Sequence, residues 1–410
     1  MGRALILLTT GMIILFGVVQ NGIEDKIIHA EERSNDYYEK LQARNIANSL
    51  IERGIRKIKD NLSWRNGISA SAYLSGKGVL QVFDSATDST LDQFELRLAS
   101  TGTVGNTTSR AQVILRRTSF SKYSYFTDKE PGIYFITGDT INGPLHTNGQ
   151  LHLSGVPVFT GRVSSPNMWK GNGDPEFQAG SDFGAPEVHL PTNLTDLKNA
   201  ASHGGLQLNN TSKLVFKNDG TVDVYTQVSG WHFGGATWDG PDVYDLADFN
   251  GVISSSQELH IEGVVKGGVS VHSTKDIIID GDLTYATDPR VDPSSNDFLG
   301  IVGEKKVVVS RYAHQASGTE DLTIQASIMA LGNSFTVENY GSGGPRGSLN
   351  ILGGVIQDVR GAVGTFISGG SKPVLHSGYR KVYTYDERLL TRWPPHFPVS
   401  DQYSILAWRE

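Results

Sequence analysis

An uncharged apolar run near the N-terminus constrains the fold of this chain more than any other feature. Residues 4–19 read ALILLTTGMIILFGVV, in which two threonines are the only polar residues. As a helix rising about 1.5 Å per residue, this run would be roughly 25 Å long, slightly short of a typical hydrocarbon core. Arg3 precedes the run, and Glu24, Asp25 and Lys26 follow it. The basic flank favours a cytoplasmic N-terminus, so the run predicts a helix that is held in a membrane or packed against copies of itself.

A cleaved signal peptide is the competing interpretation of this run. The run is longer than most signal-peptide h-regions, and no small-x-small cleavage site follows it. Helical spacing continues instead through residues 24–61, where an apolar stripe alternates with charged residues. Together the two stretches predict one helix of about 60 residues that is apolar all round at its start and amphipathic afterwards. A simple single-pass anchor with a helical spacer stays an alternative.

Two sets of residues carry this prediction. The apolar stripe consists of Ile27, Ile28, Leu41, Ile46, Leu50, Ile51, Ile55 and Ile58. The residues expected to contact the membrane or neighbouring helices are Leu5, Leu8, Ile13, Ile14, Phe16 and Val18.

The remainder of the chain has the pattern of a mainly β protein. Gly is abundant (47 residues) and only 19% of residues are charged, which is typical of many short strands joined by tight turns. Apolar alternation at 78–83, 94–98 and 111–117 predicts a sheet that covers the helix stripe. Asn218-Asp219-Gly220 separates two further alternating runs and predicts a hairpin. From 133 to 351, short β-branched runs recur about every 7–10 residues, a pattern that favours stacked rungs of a β-helix.

Composition also excludes several kinds of chemistry. A net charge of −7 leaves no basic footprint for nucleic acid. The absence of cysteine excludes disulfides, thiolate metal sites and cysteine nucleophiles. No P-loop and no G-x-S-x-G elbow occurs, so phosphoryl and acyl transfer have no support. We therefore predict no catalytic residues, no metal and no cofactor.

Several segments resemble a β-helical domain found in large PilX-like minor pilins. The most specific is the tail, with Gly378-Tyr-Arg-Lys-Val-Tyr-Thr-Tyr-Asp-Glu-Arg-Leu-Leu, then Pro394-Pro-His-Phe-Pro and Ile405-Leu-Ala-Trp-Arg-Glu. The others are Asn142-Gly-Pro-Leu-His-Thr-Asn-Gly-Gln-Leu, Pro157-Val-Phe-Thr-Gly-Arg-Val, Gly281-Asp-Leu-Thr-Tyr, Asp297-Phe-Leu-Gly-Ile-Val, Ile324-Gln-Ala-Ser-Ile-Met-Ala-Leu, Gly347-Ser-Leu-Asn-Ile-Leu-Gly-Gly-Val-Ile-Gln and Arg360-Gly-Ala-Val-Gly-Thr-Phe.

This resemblance implies a subunit of a type IV pilus-like or type II secretion-like filament, stored in the inner membrane and then assembled at the cell surface. It implies a pilin-like helix followed by a β-sheet region and a right-handed β-helix, or solenoid. Its partners would be copies of itself or other pilins. The sequence departs from the usual pilin pattern in two ways: no short basic leader precedes the apolar run, and Leu5 stands where pilins usually carry Glu.

The predicted domain organisation follows from these patterns. Residues 1–62 form the assembly helix, 63–128 a β-sheet region packing on the helix, 129–377 the solenoid with an insertion at about 165–250, and 378–410 a C-terminal cap.

Two alternatives concern the β-helical part. A membrane-tethered glycan-cleaving enzyme would use clustered residues such as Asp139, His146 and His152, although turn and structural roles explain them more simply. A non-catalytic adhesin would bind a glycan or cell surface through exposed aromatics, of which the best candidates are Trp231, Phe233 and Trp238. A separate group of acidic residues consists of Asp288, Asp292 and Asp297, whose carboxylates are of the kind that binds Ca²⁺. Their pattern fits an ordinary polar loop better than a Ca²⁺ site.

Overall fold

The computed structural model describes residues 2–92, 94–192, 194–230, 235–316, 318–367 and 373–410. The chain is mainly β with a long N-terminal helix. It divides into two compact units, the first formed by residues 1–118 with 401–410 and the second by residues 119–400. The helices are α1 Gly2–Asp60, α2 Thr195–Ser202 and α3 Ala313–Ala316, with 3-10 turns at Phe120–Lys122, Leu246–Asp248 and Glu387–Leu390.

The strands are short in the middle of the chain and longer towards both ends. The first ten are β1 Ile68–Tyr73, β2 Gly76–Phe83, β3 Glu95–Val104, β4 Thr107–Ser119, β5 Tyr125–Lys129, β6 Tyr134–Phe135, β7 Thr140–Ile141, β8 Leu145–Thr147, β9 His152–Leu153 and β10 Val158–Phe159. The next ten are β11 Val163–Ser165, β12 Lys170–Gly171, β13 Glu176–Phe177, β14 Ser181–Phe183, β15 Leu206–Leu208, β16 Ser212–Phe216, β17 Thr221–Ser229, β18 Thr237–Asp245, β19 Val252–Ser255 and β20 Leu259–Val265. The last are β21 Gly268–Ser273, β22 Ile277–Tyr285, β23 Phe298–Gly303, β24 Val307–Val309, β25 Leu322–Ala330, β26 Phe335–Val337, β27 Pro345–Val359, β28 Gly364–Ile367, β29 Val374–Thr384 and β30 Val399–Arg409.

Helix α1 runs unbroken for 59 residues, which confirms the single long helix. Its two halves meet different surroundings. Apolar side chains from Leu5 to Ile28 are exposed, whereas those from Ala43 to Ile58 are mostly buried. The predicted apolar stripe is therefore buried only in its second half, because Ile27 and Leu41 remain 52% and 44% exposed.

The second half of α1 packs on a sheet with the order β1-β2-β3-β4-β30. Strands β1 to β4 pair antiparallel, and their alternating apolar residues face the helix. The predicted strands at 78–83, 94–98 and 111–117 are thus confirmed as parts of β2, β3 and β4. The core of this unit contains Ile46, Ala47, Leu50, Ile51, Ile58, Leu80, Leu96, Leu98, Ala111, Val113 and Leu115.

Parallel pairing between strands far apart in sequence dominates the second unit. Thr140 pairs with Val158, and Val158 pairs in turn with Glu176. Leu145, Val163 and Ser181 form an equivalent series. Each step advances the chain by 18 residues and adds one strand. The inward side chains of successive layers therefore bury one another in one continuous core.

Later strands extend the same arrangement, first with steps of 18 residues, as from Val252 to Ser270, and then with longer steps, as from Gly268 to Phe298. Strands β19, β21, β23, β25 and β27 pair in parallel one after another, as do β20, β22, β24 and β26. The predicted hairpin is also confirmed: β16 and β17 pair antiparallel around Asn218-Asp219-Gly220, and β18 adds to β17. This hairpin joins the parallel ladder because β16 pairs with β20.

A fully buried ion pair lies inside the second unit, in the part of the chain that the structure describes. The side chains of Arg360 and Glu130 are both fully buried, with Nη1 and Oε2 3.3 Å apart. The guanidinium lies 3.7 Å from the ring centroid of Phe135 and donates to Ile133 O at 2.8 Å. Because the charges are paired and hydrogen-bonded, the apolar core tolerates them.

Candidate functional site

The predicted contact residues of α1 are all highly exposed. Their exposed fractions lie between 62% and 73%, which is unusual for six large apolar side chains on one helix. These residues are Leu5, Leu8, Ile13, Ile14, Phe16 and Val18. By length and hydropathy, α1 is capable of crossing a membrane.

The two threonines in this apolar run satisfy their hydroxyl groups within the helix. Thr9 Oγ1 donates to Leu5 O at 3.0 Å, and Thr10 Oγ1 donates to Ile6 O at 2.7 Å. An unpaired hydroxyl in hydrocarbon is costly. With these internal bonds, the exposed surface of the run is almost entirely apolar.

A second candidate site is a cleft of about 640 Å³ in the second unit. Its floor is the outer face of the parallel ladder, where His260 pairs in register with Ile278. Trp238, on β18, lines the cleft together with Asp280, Arg311 and Tyr312. Aromatic and polar groups therefore converge on one concavity, which is the usual character of a ligand site.

A buried histidine lies between two carboxylates at the cleft. His260 is only 3% exposed, and its Nδ1 lies 2.8 Å from Asp280 Oδ2. Its Nε2 lies 3.4 Å from Glu258 Oε1. Burial alone would lower the pKa of His260, but the hydrogen bonds and charges of Asp280 and Glu258 outweigh it and raise the pKa to about 9. His260 is therefore an imidazolium at neutral pH.

Of the aromatic residues predicted to bind a surface, Trp238 lies in this cleft. Its ring centroid is 5.3 Å from that of His260, with the two rings at 71°. Trp231 and Phe233 lie outside the described residues.

The residues singled out for glycan cleavage have structural partners in the described chain. Asp139 Oδ2 accepts a hydrogen bond from Ile136 N, which closes a turn. His146 is 2% exposed, and its ring nitrogens lie 2.8 Å from Ser164 Oγ and 3.0 Å from Asn148 Oδ1. Burial lowers the pKa of His146.

His152 and the aspartates Asp288, Asp292 and Asp297 also have contacts with other residues of the chain that account for them structurally. His152 packs edge-on against Tyr134, with ring centroids 5.4 Å apart. Asp288 forms an ion pair with Arg290. Asp292 Oδ1 accepts a hydrogen bond from Ser294 N, and the carboxylate of Asp297 accepts hydrogen bonds from Gly267 N and Thr287 N. Among the described residues, no group of three or more His, Asp or Glu is arranged to hold a metal ion.

Sequence reasoning did not identify His260 as the partner of Asp280. The two residues meet because β20 and β22 pair in parallel with His260 opposite Ile278. The alternation within each strand was visible in the sequence, but the register between them was not.

Residues 87–167 match a family described as a domain of unknown function (DUF4900). No curated protein matches the sequence. Among solved structures, the chain matches the crystal structure of the competence-associated pilin ComZ from Thermus thermophilus, with 12% sequence identity and a TM-score of 0.36 over 90% of this chain and 97% of that chain.

Proposed function

We propose that this chain is a structural subunit of a type IV pilus-like extracellular filament, held in the inner membrane by α1 before assembly. The observation that carries the proposal is the contrast along α1. Large side chains from Leu5 to Val19 are exposed, whereas Ala43 to Ile58 are mostly buried on a sheet. A soluble protein rarely leaves so many adjacent apolar side chains in water.

Lipid and neighbouring helices provide the same apolar surroundings for this segment. Burial yields about 25 cal/mol per Å² of apolar surface in either case. The segment can therefore move from a membrane into a helical filament core without entering water. A Cβ atom on Gly11, Gly17 or Gly22 would meet no atom within 4 Å apart from the backbone of α1 itself, which leaves room for another helix to approach closely.

We further propose that the parallel ladder of the second unit is a right-handed β-solenoid displayed by the filament. The regular 18-residue steps at Thr140, Val158 and Glu176 support this interpretation. The PilX-like resemblance implies the same architecture. A solenoid buries its core between successive coils and needs no disulfide, which fits a cysteine-free chain.

The filament proposal is tested by electron cryo-microscopy of material sheared from cells that express the full chain. We expect regular filaments with a core of packed N-terminal helices, with this chain located by an antibody against the second unit. Detection of the chain only as membrane-bound monomers, with no filament labelled, would overturn the proposal. Labelling along the whole filament would identify a major subunit, and sparse or terminal labelling a minor one.

A membrane-tethered surface protein that binds or cleaves glycans is the second candidate function. The cleft around Trp238, Asp280 and Tyr312 favours this candidate. Saturable glycan binding by the full chain supports an adhesin, and release of shortened sugars supports an enzyme. Absence of both, for neutral and acidic glycans, would remove this candidate and leave the filament proposal unaffected.

A further inference from the structure

We propose that the cleft in the second unit binds an extended, neutral oligosaccharide, with Trp238 as a stacking surface and polar side chains of successive strands as hydrogen-bonding partners. This inference deepens the adhesin candidate by naming its ligand class and residues. It is independent of filament assembly, because the cleft is lined by residues of the second unit alone.

Three polar residues form a column along the floor of the cleft. Ser310 N donates to Ile279 O and Glu338 N donates to Val309 O, both at 2.9 Å, so the ladder continues past the ends of β24 and β26. Asp280, Ser310 and Glu338 consequently lie on three successive strands and all line the cleft. Neighbouring strands are about 4.8 Å apart. Sugar rings in an extended chain repeat over a comparable distance, so each ring can meet one polar side chain.

Both carboxylates in this column are held in place through one oxygen. Asp280 Oδ2 is hydrogen-bonded to His260 Nδ1 at 2.8 Å. Glu338 Oε2 accepts a hydrogen bond from Arg311 N at 3.0 Å. The second oxygen of each carboxylate can accept a hydrogen bond from a sugar hydroxyl, and the fixed orientation reduces the entropy lost on binding.

Aromatic side chains supply the apolar part of the site. Trp238 is held edge-on by the buried His260 ring, 5.3 Å away between centroids. Tyr312 also lines the cleft and is 55% exposed. The C–H faces of a pyranose ring pack well on such flat rings, and the aromatic rings lose little conformational freedom when they bind.

The charges of the lining favour a neutral chain over an acidic one. Asp280 and Glu338 would repel the carboxylates or sulfates of an anionic polysaccharide. The lining also contains two cations, Arg311 and the His260 imidazolium, which balance the two carboxylates and leave no net positive charge to attract an acidic chain. The Arg311 guanidinium lies over the Tyr312 ring, 5.3 Å from the centroid. The site therefore offers acceptors for hydroxyl groups rather than a cationic groove for acids.

The test is isothermal titration calorimetry on the full chain in lauryldimethylamine oxide, a detergent without a sugar headgroup. The probes are cellohexaose, chitohexaose and mannohexaose, with hexagalacturonate as the acidic probe. We expect saturable binding of at least one neutral probe and at least tenfold weaker binding of hexagalacturonate. Saturation by none of the neutral probes at millimolar concentration, or equal or tighter binding of hexagalacturonate, would overturn the proposal.

Variants locate the site. Trp238→Ala should weaken binding at least tenfold, and Trp238→Phe should weaken it less, because a flat ring is kept. Glu338→Gln is the second variant and should weaken binding without removing an aromatic ring. The matched control is Tyr134→Ala, because Tyr134 also packs edge-on against a histidine, His152, but lies outside the cleft.

The variant results decide the location unambiguously. Binding by Trp238→Ala and Glu338→Gln at the strength of the unchanged protein, with all proteins melting at similar temperatures, would refute a site in this cleft. Leu8→Asp should bind the glycan normally in detergent. Failure of filament assembly and failure of glycan binding are thus separate results.

Discussion

Gly102 of β3 lies directly beneath Ala43 of α1. A Cβ atom on Gly102 would overlap the carbonyl oxygen of Ala43 and stand 2.9 Å from the amide nitrogen of Ala47. Ala43 and Ala47 are both completely buried. The helix backbone therefore approaches the sheet closely at this point, because glycine faces alanine and no larger side chain separates them.

We expect Gly102→Ala to destabilise the first unit by about 1–3 kcal/mol, the usual cost of overpacking a well-packed core. The cause is overlap with helix backbone, which cannot move aside as a flexible side chain can. Chemical denaturation of the full chain, followed by circular dichroism, measures the effect. The control is Gly341→Ala, where a Cβ meets nothing within 4 Å. Equal stability of the two variants would contradict the close contact.

Leu8→Asp and Ile14→Asp should each reduce membrane retention and assembly. A charged aspartate near the centre of a membrane helix costs about 2.5–3.5 kcal/mol for insertion. Membrane fractionation and counts of surface filaments measure the two losses. Val79→Asp is the matched control, since Val79 is also exposed but lies on β2 rather than in the apolar run. Normal membrane retention and filament counts in both helix variants would argue against the assigned role of α1.

Arg360→Met should destabilise the second unit by about 3–5 kcal/mol. The substitution leaves the carboxylate of Glu130 buried without its charged partner. Adding Glu130→Gln should restore part of the lost free energy of unfolding, because the uncompensated charge is then removed. Arg290→Met is the control: Arg290 also pairs with a carboxylate, that of Asp288, but is 59% exposed, and its loss should cost less than about 0.5 kcal/mol. Thermal unfolding of the full chain compares them, and similar shifts for Arg360→Met and Arg290→Met would contradict the prediction.

The contacts of His260 with Asp280 and Glu258 should make the free energy of unfolding depend on pH. Its pKa is about 9 in the folded chain and about 6.5 when unfolded, so folding favours the protonated ring. The resulting stabilisation is fully present below pH 6.5 and is lost as the pH rises through about 9. It amounts to at most about 3 kcal/mol, at 1.36 kcal/mol per unit of pKa.

Urea unfolding of the full chain and of His260→Gln, between pH 6 and pH 10, measures this contribution. The difference in unfolding free energy between the two proteins should shrink across that range. A constant difference would show that His260 acts through packing rather than through its charge.

Local pattern was sufficient to predict the elements that depend on neighbours in sequence. The apolar run and the stripe after it predicted α1, because helical periodicity is visible within a few turns. Alternation predicted β2, β3 and β4, and Asn218-Asp219-Gly220 predicted the β16–β17 hairpin. The binding role of Trp238, expected from its aromatic character, stays a prediction.

The contacts that build the candidate cleft could not be predicted in this way. His260 and Asp280 are 20 residues apart, and Glu338 is farther still along the chain. They share one face only because parallel strands stack with a particular register, which depends on how loops of different lengths close. The sequence by itself determined the exposed apolar helix and the strand content. The tertiary structure decided which half of α1 is buried and which polar side chains meet, because register and close packing depend on residues that are distant in sequence.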